Sequence, residues 1–348
     1  MITMIPPSEI PNIATPLSIS LTLPFNHNGP ADPDGIAVTH RAASDPGTVL
    51  AMTSIDPEQF RNRKRRTTVD EVEMALIDEG DGPLTFVLQH GNPTSSFLWR
   101  EVIEQLRPFG RCVAPDLIGM GDSARPPDAG PESFGFVEHR RYLDGLLDQA
   151  VPDGRVVLVG HDWGSALLFD WARRNPGRVA GIAYMEAIVS PVTWADWPEG
   201  AREIFQALRS EAGEEMILEK NLFVEAILPS SILRDLEPAE MDEYRRPFAE
   251  PGEVRRPTLR WPRELPIDGE PADVVDIVDE YGAWLSGSDL PKLFIDADPG
   301  AILTGPQREF CRSWPNQSEA RVSGLHYVQE DSGDEIGRLI AEWVPSTE

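Results

Sequence analysis

The sequence VVLVGHDWGSALLFDWA, residues 156–172, carries the clearest structural signal in the chain. Its apolar, β-branched start predicts a buried strand, and apolar residues recur at helical spacing from near Ser165 onward. The Gly-x-Asp-x-Gly turn between them places Asp162 at the carboxyl end of the strand, where the N–H groups of the helix N-terminus stabilise an anion. An ionised carboxylate there needs no base and can attack carbon to form an ester. The alternative is a simple helix N-cap, where aspartate is common.

Strands and helices alternate on both sides of this stretch, which predicts a mostly parallel, doubly wound sheet with helices on both faces. The predicted strands lie within residues 69–80, 81–91, 111–115, 178–186, 290–297 and, more weakly, 318–324, and further helices lie within 95–106 and 136–149. The alternation stops between residues 189 and 287, where helical patterns such as ADVVDIVDEYGAWL take over. We therefore predict that residues 189–287, called the cap segment below, form an inserted helical cap.

The composition excludes several classes of function. The chain has 31 Lys and Arg against 58 Asp and Glu, a net charge of −27, so it lacks the basic surface that nucleic acids or anionic membranes require. Cys112 and Cys311 are far apart, which argues against a disulfide framework or a thiolate metal site. No apolar stretch approaches the roughly 20 residues of a membrane span, and a cytoplasmic protein is expected. Residues 1–51 are rich in polar residues and proline, which predicts a disordered extension.

Other candidates for the site follow the predicted ends of further strands. His326, in the GLHYVQED loop after the last strand, is the candidate general base, because imidazole can take a proton from water while a carboxylate holds its other nitrogen. The carboxylate is either Glu186, at the end of the strand that follows the Asp162 helix, or Asp296 or Asp298, at the end of the next strand. The residues alone leave this choice open.

Two hydrogen-bond donors are predicted beside Asp162. Asn92, in the HGNPTSS turn, and Trp163 offer backbone N–H groups to an oxyanion hole, and their side chains offer an amide N–H and an indole N–H to the cleft. Neutral donors next to a nucleophilic carboxylate suit a soft leaving anion such as a halide. The alternatives are core packing for Trp163 and, for Asn92, an ordinary turn residue before Pro93.

Five motifs carry a resemblance to a known family. They are HGNPTSSFLWR, APDLIGMGDS, VGHDWGSAL, YMEAI and GLHYVQED, in this order along the chain. Together they resemble the haloalkane dehalogenase family of α/β-hydrolases, and stretches such as LEPAEMDEYRRPF are most similar to its branch with the Renilla-type coelenterazine luciferases. The resemblance implies an α/β-hydrolase core over residues 52–188 and 288–348, with the cap segment inserted and residues 1–51 as an added piece.

When the family's motifs are matched to this sequence position by position, the resemblance implies Asp162 as nucleophile, His326 as base, and Asn92 with Trp163 as the halide-binding pair. It favours Glu186 as the acid and leaves Asp298 second. The implied activity is hydrolytic dehalogenation of small apolar haloalkanes by water, through a covalent alkyl-aspartate ester and without a cofactor or metal. A coelenterazine-type luciferase is the alternative, and an epoxide hydrolase, which needs cap tyrosines, is less favoured.

Overall fold

The structure is a computed structural model that describes residues 55–344. Within this range the chain forms an eight-stranded sheet. The strands are β1 (Arg65–Val69), β2 (Val72–Glu79), β3 (Leu84–Gln89), β4 (Gly110–Pro115), β5 (Val156–His161), β6 (Val179–Ala187), β7 (Lys292–Pro299) and β8 (Gln317–Gly324). The extension predicted over residues 1–51 lies outside the described residues.

Helices fill the connections between the strands and most of the cap segment. The α-helices are α1 (Pro57–Asn62), α2 (Arg100–Leu106), α3 (Phe136–Ala150), α4 (Asp162–Arg174), α5 (Glu199–Leu208), α6 (Ala212–Glu214), α7 (Leu228–Ser230), α8 (Pro238–Arg245), α9 (Arg256–Glu264), α10 (Ala272–Gly287), α11 (Gly305–Arg312) and α12 (Val328–Trp343). Short 3-10 turns lie at Ser96–Trp99, Pro176–Arg178, Arg246–Phe248 and Glu253–Arg255, and π-helical turns at Glu215–Glu219 and Phe223–Ile227.

The strand order is β1-β2-β4-β3-β5-β6-β7-β8. β1 and β2 form an antiparallel pair, β2 also pairs antiparallel with β4, and the strands from β4 across to β8 are parallel. The mostly parallel sheet predicted from the sequence is therefore present. In its centre Gln89 pairs with Gly160, so β3 and β5 end at nearly the same level.

The neighbouring strands β3 and β5 lead the chain in opposite directions. From β3 the chain passes through α2 to β4 on one side, and from β5 it passes through α4 to β6 on the other. Because such crossovers are right-handed, α2 and α4 cover opposite faces of the sheet. A crevice opens beyond the carboxyl ends of the strands where their order reverses. The loops after β3 and β5, which carry Asn92 and Asp162, meet there.

The apolar residues form two buried clusters. The larger one joins the sheet to the helices on both faces. The smaller one lies within the cap segment and consists of Leu208, Ile217, Leu218, Phe223 and Leu259. The cap segment therefore has a small core of its own. Across residues 55–344, no helix has both the length and the apolar character that a membrane crossing requires.

The structure differs locally from the sequence-based expectation at three places. Residues 69–80 were expected as one strand, but the chain turns at Asp70 and Glu71, where φ is 44° and 68°, and forms the β1-β2 hairpin. Positive φ at both turn residues matches the strand twist, yet glutamate does not usually mark such a turn. The helical pattern over 214–228 forms π-helical turns in place of one α-helix, and α4 begins at Asp162, before the expected start near Ser165.

Candidate active site

Asp162 lies in the sharp turn between β5 and α4. Its φ is 50°, a left-handed conformation that an L-residue adopts at a cost, and such strain is concentrated at functional sites. The turn also depends on close backbone contact, because a Cβ on Gly164 would lie 2.1 Å from the carbonyl oxygen of Gln89. The flanking glycine of the motif therefore allows α4 to approach β3 and directs Asp162 beyond the strand end.

The Asp162 carboxylate is buried and surrounded by donors. Its Oδ1 accepts the backbone N–H of Asn92 at 2.8 Å, and the backbone N–H of Trp163 also favours its charged form. Gly91 makes room for it, since a Cβ there would lie 2.0 Å from Oδ1. Burial alone would raise the pKa of Asp162, but the hydrogen bond and positive charge of His326 outweigh burial and lower it. The group is an ionised carboxylate at neutral pH.

His326 lies in the loop between β8 and α12 and contacts two carboxylates. Its Nε2 is 3.4 Å from Oδ2 of Asp162, and its Nδ1 is 3.2 Å from Oε2 of Glu186. Burial alone would lower the pKa of His326, but the hydrogen bonds and charges of these two carboxylates outweigh burial and raise it to about 9. The structure thus brings Asp162, His326 and Glu186 into one chain of contacts.

Glu186, at the end of β6, is the carboxylate that contacts His326. Its φ is 41°, and its Oε2 accepts the backbone N–H groups of Ala301 at 3.0 Å and Ile302 at 2.8 Å. These bonds fix the carboxylate in the interior and leave it facing Nδ1 of His326.

The alternative carboxylates lie in other surroundings. The side chain of Asp298 is 61% exposed, and its nearest cationic partner is Arg321 at 3.9 Å. Asp296 is buried, but it pairs with Arg308 at 3.0 Å and with Arg321 at 3.1 Å. Both carboxylates therefore face arginines, one in the interior and one at the surface, and differ from Glu186, which faces the imidazole.

Asn92 and Trp163 both lie beside the Asp162 carboxylate and contact helix α9. The Asn92 side chain donates from Nδ2 to the carbonyl of Thr258 at 3.3 Å. The Trp163 indole is buried and stacks on Trp261, with ring centroids 4.7 Å apart. The structure thus brings together the predicted donors and the predicted nucleophile.

Two further residues fix the loop that carries His326, and the sequence interpretation missed both. The Nε2–H of His161 donates to the carbonyl of His326 at 2.7 Å. The hydroxyl of Tyr327 donates to the carbonyl of Asn92 at 2.9 Å. Burial lowers the pKa of His161 to about 3, so this ring is neutral. The sequence signal for His161 and Tyr327 was their place in the chain, because each is the immediate neighbour of a predicted site residue.

His90 fixes the start of the loop that carries Asn92, also through hydrogen bonds to backbone groups. Its Nδ1 lies 2.9 Å from the carbonyl of Gly91, and its Nε2 accepts the backbone N–H of Leu117 at 3.0 Å. Because one nitrogen donates and the other accepts, the ring is a neutral imidazole in a fixed tautomer. Burial lowers its pKa to about 4, which keeps it neutral. Among residues 55–344, no group of three or more His, Cys, Asp or Glu has the arrangement of a metal site.

Comparisons with known proteins agree with this geometry. The family described as the α/β hydrolase fold matches residues 85–234. A haloalkane dehalogenase from Sphingobium indicum (strain UT26S) is 59% identical over 272 residues, which is 78% of this chain and 91% of that protein. One from Mycolicibacterium smegmatis is 52% identical and covers 78% of this chain and 87% of that protein.

The likeness extends to solved structures. The crystal structure of a haloalkane dehalogenase from Bradyrhizobium elkani is 42% identical and has a TM-score of 0.77, with 82% of this chain and 98% of that chain covered. The fold and family expected from the sequence are confirmed. Because the chain is similar to haloalkane dehalogenases along most of its length, it belongs to the haloalkane dehalogenase family of α/β-hydrolases.

Proposed function

We propose that this enzyme hydrolyses haloalkanes to alcohol, halide and a proton in two steps, with Asp162 as nucleophile and His326 as base. The observation that carries the proposal is the contact chain from Asp162 through His326 to Glu186, with separations of 3.4 and 3.2 Å, in a buried crevice. A carboxylate nucleophile followed by an imidazole base suits a reaction that forms an ester and then hydrolyses it.

In the first step Asp162 attacks the carbon that carries the halogen. A new carbon–oxygen bond forms, the carbon–halogen bond breaks, and its electron pair leaves with the halide. The indole N–H of Trp163 and the amide N–H of Asn92 receive the halide as its charge develops. Neutral donors already in place stabilise that charge without reorganisation.

In the second step His326 takes a proton from water, and the hydroxide adds to the carboxyl carbon of the ester. The backbone N–H of Asn92 stabilises the charge on Oδ1, and the alcohol leaves after protonation by His326. Asp162 is then a carboxylic acid, and it passes its proton to His326, which restores the carboxylate and the imidazolium. In the resting enzyme His326 is protonated, because its pKa is raised to about 9 by two carboxylates. Esterification removes the charge of Asp162, so the pKa of His326 falls and the ring becomes available as a base.

The epoxide hydrolase alternative has less support in the described structure. It requires cap tyrosines that protonate an epoxide oxygen, and the sequence offers Tyr244 and Tyr281. Tyr281 donates its hydroxyl to the carbonyl of Ile188 at 2.6 Å, and Tyr244 donates to Glu330. Both hydroxyls are therefore engaged elsewhere. The luciferase alternative is not favoured either, since the curated relatives at 47–59% identity are named haloalkane dehalogenases.

The proposal includes the arrangement of domains. Within the described residues, 55–188 and 288–344 form the hydrolase core, and the cap segment covers the crevice and determines which haloalkanes enter. The separate apolar cluster of the cap segment and its contacts with Asn92 and Trp163 support this assignment. The substrate is small and apolar, water is the second substrate, and the cytoplasm remains the expected location.

A direct test measures halide and proton release from chloro-, bromo- and iodoalkanes, beside a luminescence assay with coelenterazine. The proposal predicts equal amounts of halide and proton with haloalkanes and background light with coelenterazine. Light emission without halide release would contradict it. Asp298→Asn serves as a matched control and should retain normal turnover, because Asp298 is exposed and does not contact His326.

A further inference from the structure

Helix α9 of the cap segment contacts both proposed halide donors. The carbonyl of Thr258 accepts from Nδ2 of Asn92 at 3.3 Å. The ring of Trp261 lies on that of Trp163, with planes inclined by 24° and centroids 4.7 Å apart. Because Thr258 and Trp261 are three residues apart on a helix, they share one face. A single helix face therefore meets the two side chains that receive the halide.

The Thr258 carbonyl is free to bind Asn92 because of Pro262. In an α-helix, a carbonyl accepts from the N–H four residues later. For Thr258 that position is Pro262, which lies inside α9, is buried, and has no N–H. The carbonyl thus lacks its usual helical donor, and the amide of Asn92 donates to it instead. Pro262 therefore removes one hydrogen bond from α9 and leaves a backbone carbonyl available at the crevice.

The bond to Thr258 decides which way the Asn92 amide faces. An amide presents donors at its nitrogen and lone pairs at its oxygen, and the two ends have nearly the same shape. Oδ1 of Asn92 has no hydrogen-bond partner among the described residues, so the Nδ2 bond is the contact that distinguishes the two orientations. In the observed orientation the nitrogen keeps a second N–H for an anion. A rotated amide would set Oδ1 against the Thr258 carbonyl and repel a halide.

The Trp163 ring is held by a cluster of aromatic rings. Phe136 contacts it at 6.0 Å, and His139 stacks behind Trp261 at 4.3 Å with planes inclined by 16°. Phe136 and His139 are three residues apart on α3, and they contact one tryptophan each. His139 is fully buried, and neither of its ring nitrogens has a hydrogen bond of normal geometry to a described residue. Its contribution is therefore a flat ring that supports Trp261.

Helices α9 and α3 are also joined by a hydrogen bond. The carboxylate of Glu264, the last residue of α9, accepts the backbone N–H of Phe136 at 2.8 Å. This bond fixes the first turn of α3 against α9. The stack of rings and the backbone contact therefore form one connected support.

We propose that α9 positions the halide-binding pair: the Thr258 carbonyl, left free by Pro262, orients the Asn92 amide, and Trp261 orients the Trp163 indole. Pro262 and Trp261 are positioning residues that act through Asn92 and Trp163. The inference rests on the function proposed above and assigns these two residues to the binding and stabilisation of halide.

The decisive variant is Pro262→Ala, which restores an N–H four residues after Thr258. That N–H competes with Asn92 for the Thr258 carbonyl, so the dissociation constant for bromide should rise about tenfold, the effect of roughly one hydrogen bond. The value of kcat/KM should fall with it. The thermal midpoint should stay equal or rise, because alanine suits a helix interior better than proline. A purely structural role for Pro262 would instead leave bromide affinity unchanged.

The matched control is Pro257→Ala in the same helix. Pro257 lies in the first turn of α9, directly after the 3-10 turn Glu253–Arg255, and an N–H there could bond only to carbonyls that precede Thr258. This change therefore leaves the Thr258 carbonyl free. Its bromide affinity should match that of the unchanged enzyme. If Pro262→Ala binds bromide within twofold of the unchanged enzyme, the role of the Thr258 carbonyl is overturned.

Trp261→Phe tests the second contact independently. It should remove the far-ultraviolet circular dichroism couplet expected of two stacked indoles and weaken bromide binding several-fold. Loss of the couplet with unchanged bromide affinity would overturn the role of Trp261. The proposed function fails in a different way, since the unchanged enzyme would then release no halide from haloalkanes.

Discussion

The ends of β5 and β6 carry two carboxylates on residues with nearly the same positive φ. Asp162 has φ of 50° and Glu186 has φ of 41°, and each accepts from backbone N–H groups and contacts His326. They differ in exposure, because 7% of Asp162 is accessible but 1% of Glu186. Glu186 is closed off by the backbone of residues 301 and 302. The comparison teaches that access to the crevice, more than chemical type, separates the proposed nucleophile from the proposed orienting acid.

The largest effect is expected where the accessible carboxylate is removed. Asp162→Ala should reduce halide release to the background rate, because the remaining carboxylate at the end of β6 is closed to substrate. Intact-protein mass spectrometry with a bromoalkane should find no alkyl adduct. An adduct on this variant would mean that Glu186 or another group can attack, and the distinction between the two strand ends would be lost.

His326→Phe should stop the reaction after the ester has formed. Asp162 keeps its backbone donors and still attacks, but no base activates water, so the alkyl-enzyme accumulates. Mass spectrometry should show one alkyl group per chain, and a burst of halide should match the enzyme concentration. Normal turnover by this variant would show that another group acts as base.

Glu186→Gln should lower kcat by up to roughly 10⁴-fold, the loss seen when the carboxylate that orients a catalytic histidine in a Ser-His-Asp triad becomes an amide. The amide cannot stabilise the imidazolium formed during hydrolysis, so the ester should become detectable as a transient species in rapid-quench experiments. Asp298→Asn is the comparison variant and should be close to normal. If Asp298→Asn instead lost far more of its kcat than Glu186→Gln, the orienting acid would be Asp298.

A smaller effect is expected in the dependence of stability on pH. The pKa of His326 is raised from 6.5 to about 9 by the two carboxylates, so its protonation stabilises the folded state fully below about pH 6.5 and this contribution is lost as the pH rises through about 9. Urea unfolding should give a free energy of unfolding that falls across this interval. His326→Phe should show a smaller decline, and equal declines would contradict the contact with both carboxylates.

Much of the site was predictable because its residues lie at strand ends. A buried strand followed by a Gly-flanked turn fixes where Asp162 must lie, and chain order places His326 after the last strand, at the same edge of the sheet. The position of Asn92 follows from the loop after β3 in the same way. These inferences need local sequence and topology alone.

Other features depended on contacts that no local pattern encodes. Glu186 and Asp298 both follow sheet strands, and the choice between them depended on which side chain turns inward toward His326. The hairpin at Asp70 and Glu71 lacks the residues typical of its turn. The contribution proposed for Thr258 comes from its backbone carbonyl, which the identity of its side chain does not reveal.

The two oxygens of Asp162 have different neighbours: Oδ1 accepts the Asn92 N–H at 2.8 Å, and Oδ2 lies 3.4 Å from the His326 ring. The oxygen held by the backbone is suited to remain the carbonyl of the ester, and the other is free to bond to carbon. In the proposed mechanism water adds to the carboxyl carbon, so the alcohol departs with an oxygen atom that belonged to Asp162. A first turnover in heavy-oxygen water should therefore yield unlabelled alcohol and a heavier enzyme, because one carboxylate oxygen of Asp162 is replaced by an oxygen from solvent in each cycle.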